Sequence, residues 1–228
     1  MISWKRLIRS VSTAAAGTVL LATAWAAPET YEIDPAHSSV AFEIGHLAIS
    51  TVMGRFDSFE GRFVFDPDNP AASSAEATIH TESVNTNIKK RDDHLRSGDY
   101  LEVEKYPAMT FKSKSVKDVT DEGFKVTGDL TLHGVTREVV LNVKNGGSAE
   151  MGGQVRRGFS ATTELSRVDF GVGPKGGLPV GTTVKVIINV EGILKSGESA
   201  KPAAQTNGNK DEQAVKEKKV NQADQKAD

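Results

Sequence analysis

Five histidines, His37, His46, His80, His94 and His133, are the side chains best suited to exchange a proton near neutral pH. They are scattered, and no two stand four residues apart, the spacing that sets two metal ligands on one helix face. No metal site is therefore expected. His94 follows Asp92 and Asp93, with Arg91 before them, and this run looks catalytic in isolation. Acid and base roles would fall to Asp92 with His37, His94 or His133. Charged residues clustered on a short helix more often pair and cap than react, so Arg91, Asp92 and His94 read first as a structural latch. The chain has no Gly-x-Ser-x-Gly elbow, no His-Glu-x-x-His pair and no phosphate loop ending in Gly-Lys-Ser/Thr. Residues 171–176 do fit Gly-x-Gly-x-x-Gly, yet Pro174, Gly177 and Pro179 forbid the helix that should follow. That stretch reads as a mobile hairpin loop. Neither a catalytic residue nor a cofactor is expected.

The elements that carry these residues are mostly strands. Over roughly 170 residues apolar side chains recur at every second position, as a strand with one buried face requires. One helix-like segment, Ser83 to Pro107, interrupts them. Strands are expected over 37–45, 55–66, 75–83, 107–116, 124–132, 137–144, 154–164 and 182–194, with a short leader at 30–34. Turn signals at 66–70, 121–123, 133–134 and 145–147 separate them. Within the insertion, Ile88, Asp92 and Leu95 lie near one face. Leu95, Tyr100, Leu101, Val103 and Tyr106 would either close one end of a barrel or pack outside it as a crossover. The expected fold is all-β: an eight-stranded antiparallel barrel with one short helical insertion.

Both ends of the chain differ from this pattern. Residues 1–26 read as an export signal, in which Lys5, Arg6 and Arg9 precede a weakly apolar run from Val11 to Ala24. Ala24-Trp25-Ala26 then supplies small residues at the spacing signal peptidase prefers. The run is about 14 residues where a bilayer span needs ~20, so no retained membrane span is expected. An exported chain without cysteine points to the bacterial periplasm or the medium, because a domain of this size buries enough core to dispense with disulfides. Residues 27–195 form one domain. From Ser196 to Asp228 there is no Leu, Ile or aromatic residue, and two valines cannot offset the entropy of ordering the segment. It is expected to be a disordered polar tail. The domain carries 19 basic and 24 acidic side chains, a balance that disfavours a nucleic-acid partner.

The inward face of the strands mixes large and small side chains. Phe42, Ile44, Phe63, Ile79, Met109, Phe111, Leu130, Leu132, Phe159, Val186 and Ile188 are bulky, and Leu95 and Tyr100 join them from the insertion. Ala75, Ala77, Ser113, Ser115, Gly128, Ala161 and Thr163 fall in the same register. An eight-stranded barrel either fills itself with side chains or holds one slender ligand. Walls rich in Phe on one side and in Ala and Ser on another favour the ligand, although interdigitation of large and small residues gives the same mixture. The bulky set is the candidate ligand-binding surface.

The motifs, taken in order, resemble those of the YceI-like family. They are Asp34-Pro35-Ala36-His37-Ser38; Val40-x-Phe42-x-Ile44-x-His46; Gly54-Arg55-Phe56 with Phe59-Glu60-Gly61; and Arg91-Asp92-Asp93-His94-Leu95. Tyr106-Pro107 with Thr110-Phe111, Gly128-x-Leu130-Thr131-x-x-Gly134-Val135-Thr136 and Arg167-x-Asp169-Phe170-Gly171 complete the set. The resemblance covers residues 30–194 and implies a lipocalin-like barrel, exported to the periplasm, that holds a long polyisoprenoid or other amphiphilic lipid. It implies no metal and no assigned catalytic residue. A polyisoprenoid, an isoprenoid quinone or a fatty-acyl lipid is the expected partner, with a homodimer as a further expectation. Arg91, His94 or Lys175 would meet the headgroup. Competing expectations are an enzyme acting on an amphiphile through the His and Asp residues named above, and an envelope stress factor acting through its outer surface.

Overall fold

The computed structural model describes residues 27–199, with side chains through Lys195. The expectations for residues 1–26 and for the tail beyond Ser199 lie outside the described residues. Eleven strands occur: β1 (Glu29–Ile33), β2 (Ser39–His46), β3 (Ser50–Phe56), β4 (Phe59–Phe65), β5 (Ser74–His80), β6 (Val84–Asn85), β7 (Ala108–Lys117), β8 (Gly123–Leu132), β9 (Val135–Met151), β10 (Gln154–Ser166) and β11 (Val180–Ser199). One α-helix, α1 (Lys89–Arg96), interrupts them.

These strands build eight walls. β1 and β2 both lie antiparallel to β11, β1 along 192–199 and β2 along 180–189, so they form one wall broken by the 3-10 turn Pro35–His37. On their other side β4 pairs with β1 and β3 with β2. β5 and β6 then pair with β4 and β3. The second and third breaks are stitched together, since Asp57 N–H donates to the Ser83 carbonyl and Ser58 N–H to the Ser83 hydroxyl. β7 through β11 follow as an unbroken antiparallel meander that closes on β1. The result is the expected closed eight-stranded antiparallel barrel with one short helix. Closure through β1 and β11 pairs most of the sheet edge, which limits edge-to-edge association, while residues 50–54 of β3 pair with β2 alone.

Several element boundaries differ from expectation. Residues 50–56 carry no sequence signal for a hairpin, yet β3 pairs with β2 from Ser50↔His46 to Phe56↔Val40. The turn uses Leu47 and Ala48 at φ 53° and 59°, positions that normally take Gly or Asn. β9 runs through the Asn145–Gly147 stretch expected to be a turn. Gly146 is the extra residue of a bulge opposite Gly158 and Phe159, and the true turn is at Gly152 and Gly153, both with positive φ. A second bulge at Lys114 sends Ser115 outward against Thr127 and brings Val116 inward against Val126. The helix is confined to eight residues; segments 81–88 and 97–107 are a 3-10 turn, a two-residue strand and loops. β11 pairs as far as Ser199 with Glu29, a few residues into the segment read as tail.

One end of the barrel is filled by rings. Tyr31 stacks on Phe63 at 4.9 Å between centroids, and Phe159 meets Phe63, Phe65 and Phe124 edge-on or tilted at 5.4–5.8 Å. Gly192 permits this, because a Cβ there would fall 2.5 Å from the Phe63 ring. Burial raises the Tyr31 phenol pKa, and its hydroxyl donates to Glu29 at 2.6 Å. At the opposite end, Val84, Leu101, Val139, Phe170 and Val172 form a second buried cluster beneath α1 and the segment after it.

Candidate functional site

A cavity of about 650 Å³ lies between the aromatic floor and this upper cluster, lined almost wholly by apolar side chains. It is within the size range of sites that bury a drug-sized or lipid-sized molecule. All thirteen residues read as the ligand-binding surface line it: eleven from the strands, and Leu95 and Tyr100 from the insertion. Phe42, Phe111, Leu130 and Phe159 are only half-buried although they point into the barrel, because part of each faces this cavity. Of the small residues, Ala75, Ala77, Ala161 and Thr163 share the wall. Ser113, Ser115 and Gly128 do not. The Ser113 hydroxyl accepts from the Ala75 amide at 2.8 Å, and Ser115 is turned out by the bulge. Gly128 gives its space to Phe111, whose ring would lie 2.5 Å from any Cβ.

The insertion lies over the upper end instead of outside the barrel. Its helix has no side-chain cap at Ile88, and its start is tethered by Thr86. Asp92 is buried and accepts from the Thr86 amide at 2.8 Å and from its hydroxyl at 2.5 Å. Arg91 donates from Nε to the Thr86 hydroxyl at 2.6 Å and from its terminal nitrogen to the Thr86 carbonyl at 2.7 Å. Arg96 reaches the carbonyls of Glu82 and Val84 at 2.6 and 2.8 Å. Arg91 and Asp92 thus meet at one threonine. His94 does not join them: it contacts Asp99 at 3.0 Å and packs edge-on to Tyr100, with its ring at the cavity rim. Thr86 and Arg96 were not singled out from sequence. Nothing in a lone threonine six residues before an aspartate announces the contact.

Arg167, named in the sequence only as part of a motif and given no role there, has one in the structure. It is 5 % exposed and donates to five backbone carbonyls, those of Val172, Pro174, Gly176, Val180 and Gly181, at 2.6–3.2 Å. The loop read as mobile is therefore wrapped around a buried guanidinium. Gly173 faces the Tyr100 ring, where a Cβ would stand 2.7 Å away, so this loop and the insertion pack against each other.

The remaining histidines lie apart. His37 contacts Asp34 at 2.9 Å on the outside of the barrel, His80 faces Glu60, and His133 packs on Tyr106 at 4.4 Å. His46 lines the upper rim of the cavity. His37, His94, His133 and Asp92 share no common site. Asp34, His37 and Glu191 do bring ligand atoms within 4.8 Å of one another. Arg156 already donates to both carboxylates, at 2.8 Å to Asp34 and 2.5 Å to Glu191, so the cluster is an ion-pair network that fixes the β1–β2 break. The Asp34 carboxyl is held down at about 2, first by the His37 hydrogen bond and then by Arg156 and the Ala36 amide.

The arrangement therefore offers a deep apolar chamber with a few polar groups at one rim, which suits binding of an elongated apolar molecule. Among the described residues no helix is long and apolar enough to cross a membrane.

Known proteins share this build. A UPF0312 protein of Vibrio cholerae is 39 % identical over 193 residues, covering 84 % of this chain and 100 % of the relative. The crystal structure of Campylobacter jejuni YceI protein superposes with a TM-score of 0.61 at 34 % identity, covering 66 % of this chain and 89 % of that one. A polyisoprenoid binding domain from Saccharophagus degradans, implicated in plant cell wall breakdown, has the same fold at a TM-score of 0.53 and 20 % identity, over 72 % of this chain and 98 % of its own. The YceI-like domain model matches residues 31–192, from the first barrel strand into the last, and with these relatives it shows that the chain belongs to the YceI-like family.

Proposed function

We propose that the protein is a periplasmic carrier or sequestering protein that holds a long polyisoprenoid, or another amphiphilic lipid such as an isoprenoid quinone or a fatty-acyl lipid, in the barrel interior. The observation that carries this reading is the cavity of about 650 Å³, apolar almost throughout, with aromatic rings lining one end and Arg91, His94 and Leu95 of α1 lining the other. Removing apolar surface from water contributes ~25 cal/mol per Å², so a long chain laid along such walls binds tightly without covalent chemistry. The headgroup then rests at the rim, where Arg91 and His94 line the cavity. The polyisoprenoid ligand of the Saccharophagus degradans domain supports the same class of cargo. No turnover is proposed, because the candidate acid and base residues are engaged separately. Export rests on the basic, apolar and small-residue segments of residues 1–26.

Titration with a fluorescent polyprenyl or fatty-acyl probe tests binding. Saturable uptake at one site, competed by the unlabelled lipid, is expected, and absence of uptake would overturn it. For export, the amino terminus of protein recovered from the host periplasm should be Ala27.

A further inference from the structure

The end of the barrel that carries α1 is chemically lopsided. Five large apolar side chains stand exposed there: Leu47 and Ile49 on the β2–β3 turn, Met53 on β3, Ile88 before α1 and Leu178 in the loop before β11. Ile49 is 84 % exposed and Leu178 68 %. The two turns are joined, since Leu47 N–H donates to the Pro179 carbonyl at 2.8 Å. Lys90 and Lys175, each within three residues of a tip, are exposed and make no ion pair among the described residues. Of the nearby acids, Asp93 is engaged with Lys89 and Arg96, and Asp99 with His94. Among the described residues Glu82, whose carbonyl accepts from Arg96, is an unpaired carboxylate beside α1. Glu104 and Asp169 also make no ion pair among the described residues and lie towards the β8–β9 hairpin, where Tyr106 packs on His133 and Arg137 donates to the Asp169 carbonyl. In an eight-walled ring that hairpin is diametrically opposite β2 and β3.

On the apolar, basic side the residues that line the cavity are also partly or fully exposed: Gly45, His46, Val52, Pro179, His94 and Arg91. There residues 50–54 of β3 pair with β2 alone, so the wall is open beside them. The opposite side is sealed by Leu101, Val139, Phe170 and Val172, all buried. Apolar tips flanked by unpaired lysines, set around the opening of an apolar chamber, match an anionic lipid surface in both shape of charge and hydrophobicity. We propose that the β2–β3 turn and the 174–179 loop dock on an anionic phospholipid bilayer, placing the cavity opening against the membrane. A lipid tail then passes between bilayer and barrel without crossing water. The proposal extends the cargo reading above but is tested separately from it.

The test is flotation of the full chain with vesicles of phosphatidylglycerol and phosphatidylethanolamine, compared with vesicles of phosphatidylcholine alone. Light scattering in solution and probe uptake into the cavity are measured on the same samples. Wild-type protein should float with the anionic vesicles and lose that association as salt rises. Ile49→Asp and Leu178→Asp should each lower partitioning about tenfold. Lys90→Glu with Lys175→Glu should lower it at least about tenfold and flatten the salt dependence. Both side chains altered in the Asp variants are exposed, so melting temperature and probe uptake should hold. Equal flotation of variants and wild type overturns docking while leaving cargo binding intact. An Ile49→Asp change that converts a dimer to a monomer with vesicle binding unaltered also overturns it, assigning the patch to a second copy. Failure of probe uptake with normal flotation would instead strike the cargo reading alone.

Discussion

Asp92 holds Thr86 by two hydrogen bonds, from the amide at 2.8 Å and from the hydroxyl at 2.5 Å, and so anchors the start of α1 to the end of β6. Arg91 grips the same threonine from its other side. A short helix without a side-chain cap is marginal by itself, and this buried clasp substitutes for the missing cap.

Asp92→Asn should loosen the insertion without unfolding the barrel. A charged acceptor gives roughly twice the hydrogen-bond strength of a neutral one, so a loss of ~1–2 kcal/mol confined to this region is expected. Hydrogen exchange should rise across residues 86–101 while β7 to β11 stay protected, and bound lipid should leave faster. If the residue were catalytic, exchange and release would be unchanged and turnover of a bound lipid would stop.

Arg167→Met should destabilise the 171–181 loop and the upper cluster together. It strips five carbonyls of their shared donor, three of which belong to a loop with few other tethers. A loss of ~3 kcal/mol or more is expected from unsatisfied buried carbonyls. Arg167→Lys, which keeps the charge but has fewer donors in a different geometry, should recover only part of it. Chemical denaturation of the three proteins checks this order.

Acid should weaken the β1–β2 break. The folded Asp34 carboxyl sits at about 2 while an unfolded aspartate lies near ~3.9, so the native state stays ionised where the unfolded chain takes up a proton. The stabilisation is whole above about pH 4 and fades as pH falls towards about 2. Asp34→Asn should melt below wild type at pH 7, and the gap should narrow over that acid window in a series of thermal scans.

Ala161→Phe should exclude cargo at little cost in stability. Ala161 is buried but lines the cavity between Phe159 and Thr163, opposite Ile188, so a larger ring takes up cavity space that the ligand would otherwise fill. Probe uptake should fall about tenfold or more with the melting temperature held or raised. A large drop in melting temperature would show that the wall at this point is already close-packed.

The barrel was legible because alternation survives in its walls: Val184, Val186, Ile188 and Val190 read straight onto the cavity. What escaped was geometry that period-2 patterning does not encode. The Leu47–Ala48 turn uses left-handed backbone without Gly or Asn, so β3 had no boundary signal. The bulges at Lys114 and Gly146 each add one residue, which reverses the facing of Ser115 and disguises the middle of β9 as a turn. Arg167 acts on backbone carbonyls, and Thr86 meets Arg91 and Asp92 through its amide, hydroxyl and carbonyl, so neither leaves a partner of complementary charge to find in the sequence. The Arg91–Asp92 pair was visible as a charge cluster; its meeting point was not.

The central claim is that this barrel carries an elongated apolar lipid. Native mass spectrometry of protein purified from its own host under gentle conditions tests it most directly, with organic extraction of the same sample to identify what is released. The account predicts a mass excess from one or a few lipid species that disappears on extraction and is reduced in Ala161→Phe. A clean unliganded mass, together with no uptake of isoprenoid or fatty-acyl probes, would contradict it.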